Sequence, residues 1–167
     1  MSPHPGATDL WDRIDEAAFA IIYGAVMVLS ILMAIGAHPD APLKTAVVLF
    51  GSVLAIVMAK AFAEFLAHAL KTRERLTGAA YRRAWAHSRA SLVAANLPAL
   101  GFAAAHFGWM TGDFASIFAQ VYCIGLLLFL GARVGWVIDR TPLAALLGAG
   151  FAGGVGLLLA LVKYLIH

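Results

Sequence analysis

A row of three ionisable residues lies in the stretch MAKAFAEFLAHALK, residues 58–71, directly after a long apolar run. Lys60, Glu64 and His68 follow one another at steps of four, so on a helix their side chains lie along one stripe. In one interpretation the row is an interfacial boundary, where Lys60 extends its ammonium toward the cytoplasm and pairs with Glu64. In the other it is a polar seam facing the interior of a helix bundle. Ionisable residues inside a membrane span commonly mark a pathway for ions or protons, so we favour the seam.

The other chemistry-bearing residues form no recognisable catalytic or metal-binding pattern. Tyr23, on the preceding apolar segment, is expected at a similar depth to the row and within reach of Glu64. The six histidines have no metal-ligand spacing, and a site made from Glu64, His68 and His87 matches no known ligand pattern. Cys123 is the single cysteine, which excludes an internal disulfide. We therefore predict that the protein is not an enzyme and uses no metal or cofactor.

The composition indicates that this row lies in a membrane protein. Hydrophobic residues make up 62% of the 167-residue chain and charged residues 13%, whereas an ordinary soluble domain has about 25% charged residues. A helix needs about 20 apolar residues to cross a bilayer. Five segments meet or approach that length, and they are continuously apolar rather than alternating, which argues against a strand barrel. They are residues 17–37, 43–70, 88–107, 114–137 and 142–166.

These segments predict an all-α integral membrane protein, a bundle of five transmembrane helices. Residues 1–16 form a cytoplasmic N-terminal segment, and residues 17–167 form a single membrane domain with a basic cytoplasmic loop at 71–89. If the five spans alternate, nine basic residues fall on one side of the membrane and two on the other, and the basic side is cytoplasmic. The nine are Arg13, Lys71, Arg73, Arg75, Arg82, Arg83, Arg89, Arg133 and Arg140, and the two are Lys44 and Lys163. The N-terminus is thus expected in the cytoplasm and the C-terminus outside, in the cell (plasma or inner) membrane.

Small residues at four-residue spacing predict how the spans pack, because lipid gives helices no hydrophobic reason to associate. The last two spans are expected to meet through glycines, and the last span to contribute to contacts between subunits. The glycines concerned are Gly131, Gly135, Gly148, Gly150, Gly154 and Gly156. In the third span, Pro98 removes a backbone donor, which predicts a kink. Asn96 on that span is interpreted as a hydrogen-bonding group between helices rather than a contact for a solute.

Two short stretches resemble the vacuolar iron transporter family. The family's first span has a phenylalanine followed by a Gly-Asn-Asp-Gly run, and the matching stretch here is FAIIYGAV, Phe19–Val26. Its second span carries a Ser-Met-x-x-Gly-Glu-Tyr-like run, matched by AKAFAEF, with Glu64 on the family's glutamate. The resemblance implies five spans and an ion-transporting polar seam. Tyr23 and Lys60 stand where the family has its metal-binding aspartate and methionine, and a basic loop replaces its acidic metal-binding insert. An ammonium repels divalent cations, so the resemblance implies a shared fold without the metal chemistry.

Our leading hypothesis is a small transporter-like protein that moves a small ion or solute through a polar seam at Tyr23, Lys60, Glu64 and His68. The alternative is a non-catalytic accessory or interaction subunit of a larger membrane complex. The expected partners are the lipid bilayer and either a second copy of the chain, most simply in a dimer, or another membrane protein. Nucleic acid is not expected as a partner.

Overall fold

The computed structural model describes residues 5–35, 41–72, 82, 85 and 89–166, and within these ranges the chain forms helices and short turns without a strand. The helices are α1 (Pro5–Ile35), α2 (Pro42–Thr72), α3 (Leu92–His106), α4 (Gly112–Asp139) and α5 (Pro142–Ile166). A short 3-10 helix, Arg89–Ser91, leads into α3. The expected cytoplasmic loop at 71–89 lies largely outside the described residues. The prediction of an all-α protein is confirmed.

Local chemistry explains where the helices begin and end. Pro42 and Pro142 occupy the first positions of α2 and α5, where a residue without an N–H leaves no helical hydrogen bond unmade. The turn between α3 and α4 contains Gly108 at a φ of 78°, a conformation that glycine adopts without strain. Thr111 then caps α4, because its hydroxyl accepts a hydrogen bond from the Phe114 N–H at 3.2 Å.

Four of the helices are long and apolar enough to cross a membrane, which supports a multi-pass membrane protein. The qualifying segments are Ala17–Ile35, Pro42–Ala67, Gly112–Asp139 and Pro142–Val162. The third predicted span differs, because α3 has only 15 residues and is therefore about 22 Å long, against about 30 Å of hydrocarbon. Its expected first residues belong instead to the segment before α3 and to the 3-10 helix.

The short α3 begins inside the bundle, where the 3-10 helix before it lies against α1. A Cβ placed on Gly24 of α1 would lie 2.5 Å from the backbone oxygen of Ser91, so only glycine lets the 3-10 helix approach this closely. Gly24 lies seven residues beyond Ala17, the start of the apolar part of α1, which is a depth of about 10 Å. The chain therefore enters α3 at a level well within the span of α1.

Packing follows the order of the chain, with α1 at the centre. Each helix from α2 to α5 packs against the next one, and α1 packs against all four. The core combines many alanines with larger apolar side chains, and the larger ones that are at most 2% exposed include Val28, Leu32, Leu49, Val53 and Leu127. The bundle thus places the first turns of the apolar part of α1 beside the later part of α2, where the ionisable row lies.

Candidate functional site

The ammonium of Lys60 lies between α1 and α2, beneath two aromatic rings. Its Nζ is 4.7 Å from the centroid of the Phe19 ring and 5.6 Å from that of Tyr23. Phe19 and Tyr23 are one turn apart on α1, and their rings stack with centroids 6.4 Å apart. The distances from Nζ to the two ring centroids lie within the range of a cation–π interaction, which is strongest where water is excluded. The Lys60 side chain is only 19% exposed, so the rings shield the charge.

Glu64 is the anionic partner of this ammonium, but the pair is not closely joined. The distance from Lys60 Nζ to Glu64 Oε1 is 3.8 Å, which is too long for a hydrogen bond. The Nζ atom is buried and has no hydrogen-bond partner among the described residues. An ammonium carries three N–H donors. Within the described part of the chain, the site therefore holds a charged donor group without a hydrogen-bond acceptor.

The structure brings together three of the four residues predicted for the polar seam. Tyr23, Lys60 and Glu64 are adjacent, whereas the side chain of His68 lies outside the described residues, as does His87. The expected hydrogen bond from Tyr23 to Glu64 is absent from the described contacts, because Tyr23 faces the ammonium with its ring. The seam is thus built from a cation, an anion and an aromatic pair.

Phe19 is a part of the site that sequence reasoning missed. Its ring has the shorter distance to the ammonium, although the residue is 64% exposed. The available signal was its four-residue spacing from Tyr23, which places both rings on the same face of α1. In the sequence, Phe19 is indicated only as the first residue of the stretch Phe19–Val26 that resembles the iron transporter family, and not as part of the polar seam.

A second buried polar atom lies at the level of Gly24. The Ser91 side chain is 1% exposed, and its hydroxyl has no partner among the described residues. Ser91 belongs to the 3-10 helix, which packs against both α1 and α2, the two helices that form the Lys60 site. The sequence offered no signal for this burial, since the serine follows a basic segment.

An ion pair at the same end of the bundle ties α1 to α4. Arg133 donates to both carboxylate oxygens of Asp15, from Nε and from Nη2, each at 3.1 Å. This two-point geometry is the strongest arrangement of an arginine and a carboxylate. In the sequence, Arg133 indicates only the orientation of the spans, because a pair 118 residues apart leaves no local pattern.

The predicted packing glycines divide into two groups. Gly131 lies in backbone contact with Gly148, Gly135 with Ala144, and a Cβ on Gly156 would lie 2.9 Å from Leu127. The other two, Gly150 and Gly154, face outward from α5, and a Cβ added at either would have no atom of another helix within 4 Å. The α4–α5 contact therefore uses four of the six glycines.

Metal-binding side chains do not gather among the described residues, where no three His, Cys, Asp or Glu lie together. Comparison with known proteins adds no relative, since no family model, curated protein or solved structure matches the chain. The interpretation of the site therefore depends on its own geometry.

Proposed function

We propose that the protein is a transporter-like membrane protein in which Lys60 and Glu64 hold a small ion or a proton during its passage. The observation that carries the proposal is the buried ammonium of Lys60, which lies within an apolar span and has no hydrogen-bond partner among the residues that the structure describes. Ionisable groups in such positions are costly and typically functional. A snorkelling lysine would extend its ammonium into water, whereas this one lies under two rings of α1.

The chemistry of the pair suits a small charged or protonated species. The 3.8 Å gap between Nζ and Oε1 leaves donors on one side and acceptor oxygens on the other. A small anion would bind the ammonium, a small cation would bind the carboxylate, and a proton would reside on Glu64. Fe²⁺ and Mn²⁺ are poor candidates, since the ammonium repels them and no metal-binding cluster exists among the described residues.

Orientation is part of the same proposal. We place the protein in the plasma or inner membrane, with the N-terminus and the loop at 71–89 in the cytoplasm. The reason is that the side of a membrane protein with more basic residues faces the cytoplasm, and these segments carry most of them. An impermeant thiol reagent added outside intact cells should then leave a Gly78→Cys variant unlabelled, and efficient labelling would reverse the topology.

The experiment that tests transport is flux into proteoliposomes containing the purified protein. A panel of a proton gradient, small monovalent cations and small anions should identify a species that the wild-type protein moves. Lys60→Met and Glu64→Gln should abolish that flux while the protein remains folded. Lys44→Met is the matched control, since Lys44 is exposed near the other end of α2. Equal flux through wild type and Lys60→Met, or no flux of any species in the panel, would refute the proposal.

A second candidate, an accessory subunit of a membrane complex, is favoured by the outer face of α5. Only 11% of its span is buried, against 28–33% for the other three long spans. Gly150 and Gly154 have open space around them on that face, and small residues let a helix of a partner membrane protein approach closely. Native mass measurement after mild extraction separates the candidates: a stable foreign partner supports the accessory role, and a self-contained monomer or homo-oligomer supports the transporter.

A further inference from the structure

Asn96 presents a carboxamide on the outer face of α3, away from the bundle. The residue is exposed, and no hydrogen bond between described residues includes its side chain. The surrounding side chains are apolar and also exposed: Val93 is 47% exposed, Leu97 44% and Leu100 64%. The expected hydrogen bond from Asn96 to a neighbouring helix of the same chain is therefore absent from the described contacts.

This amide lies near the middle of the membrane. Ser91 contacts Gly24, which lies about 10 Å along α1 from Ala17, the start of the apolar part of that helix. Asn96 follows Ser91 by five residues and therefore lies about 7 Å deeper. Measured from the other side, Asn96 precedes His106, the end of α3, by ten residues, or about 15 Å. A hydrogen bond from the Tyr122 hydroxyl to the Val93 carbonyl at 3.2 Å fixes α3 at this level against α4.

An unpaired amide at this depth cannot be satisfied by the surrounding lipid. Hydrocarbon has no donor or acceptor, and lipid headgroups and water lie roughly half a bilayer away. Asparagine is too short to reach the interface as lysine does. A protein group at the same depth is therefore required to satisfy it.

We propose that Asn96 forms the centre of a homodimer interface, in which the α3 helices of two copies meet and their amides hydrogen-bond to each other. A carboxamide is self-complementary, because it has an acceptor oxygen and two N–H donors. A second copy related by a two-fold axis along the membrane normal brings the same group to the same depth. Val93, Leu97 and Leu100 would surround the amide pair with apolar contact. This interface goes beyond the transport site, which lies between α1 and α2.

The test uses cysteine crosslinking in native membranes, on a Cys123→Ala background that removes the single natural cysteine. Val93→Cys and Leu100→Cys report on the proposed interface. Ile117→Cys on α4 is the matched control, because Ile117 is 60% exposed and lies at a similar level. Ile117 is five residues from the start of α4, and Leu100 is six residues from the end of α3. A short bis-maleimide should link copies through Val93 or Leu100 and leave the control monomeric.

Two variants of the asparagine then separate a hydrogen bond from simple apolar contact. Asn96→Leu should weaken self-association in detergent by roughly threefold to tenfold, the effect of one or two interhelical hydrogen bonds. Asn96→Gln keeps the amide and should retain the dimer. The thermal stability of the monomer should be the same in both, since the side chain is exposed.

The proposal is overturned by any of three results. These are failure of both interface cysteines to link two copies, self-association unchanged by Asn96→Leu, and crosslinking of the interface cysteines to a different protein. The last result would assign the face to a foreign partner.

Discussion

The pairing of Lys60 with Glu64 predicts non-additive effects on stability when each charge is removed. Lys60→Met keeps most of the length of the side chain without its charge, and Glu64→Gln keeps the shape of the carboxylate without its charge. Glu64→Gln should be the more destabilising single change. It leaves an ammonium that is buried under two rings, whereas Lys60→Met leaves a carboxylate whose side chain is 36% exposed.

The size of the coupling follows from the geometry. Two unit charges about 4 Å apart interact with about 4 kcal/mol at an effective dielectric of 20 and about 1 kcal/mol in water. The observed pair, at 3.8 Å, lacks a hydrogen bond, and Glu64 is partly exposed, so the value falls below the upper figure. An exposed pair at this spacing on a soluble helix contributes about 0.3–0.5 kcal/mol. We therefore expect a coupling of about 1–2 kcal/mol between the two positions.

The assay is a double-mutant cycle on the free energy of unfolding in mixed micelles. The double variant should be more stable than the sum of the single effects indicates, because it leaves neither charge unpaired. A control cycle of Lys60→Met with Lys44→Met should be additive, since these positions are 16 residues, or about 24 Å, apart on α2. A coupling below about 0.5 kcal/mol would return the row to a solvated boundary and remove the main support for transport.

Two further predictions concern the contacts that hold the bundle together. Gly131→Ala should destabilise the protein by about 1–3 kcal/mol, because the added methyl meets the backbone of Gly148 and the helices must separate. Gly150→Ala has open space around it and should be neutral or slightly stabilising in the same thermal unfolding measurement. Equal losses of stability in the two variants would contradict the packing. Asp15→Asn should lower stability by up to about 1 kcal/mol, because it replaces the charged two-point contact with Arg133, and high salt should shrink that loss; a loss that salt leaves unchanged would mean that Asp15 acts through packing.

The spans themselves were predictable from the sequence because apolar runs are a local property. The fifth predicted span, 142–166, coincides with α5, and the second, third and fourth agree with their helices within four residues at each end. The first differs at its start, because α1 begins at Pro5, twelve residues before the predicted span. The third is the informative departure. Its helical start is set by Gly24 of α1, which admits the backbone of Ser91 into the bundle. A contact between residues so far apart in the chain produces no pattern within either segment.

The residues of the candidate site also differ in whether a local sequence pattern indicates them. Lys60 and Glu64 could be found because a four-residue step on one helix is visible in the sequence. Phe19 could not be assigned to them, since its position over the ammonium depends on how α1 packs beside α2. The contact of Asp15 with Arg133 likewise depends on α1 packing against α4. The sequence thus indicated both charges of the site and Tyr23 from the first span, but not Phe19, the second ring that α1 brings to the ammonium.

The relative exposure of the two charges sets the order in which a solute would meet them under the proposed function. Glu64 is one turn nearer the end of the apolar segment at Ala67 than Lys60 is, and its side chain is more exposed, 36% against 19%. A species arriving from that end of α2 would reach the carboxylate before the ammonium. A cation or a proton would therefore meet a group that attracts it first, whereas an anion would have to pass the carboxylate to reach Lys60. Among the species left open, this order favours a proton or a monovalent cation, which would be held first at Glu64, one turn before the ammonium that lies under Phe19 and Tyr23.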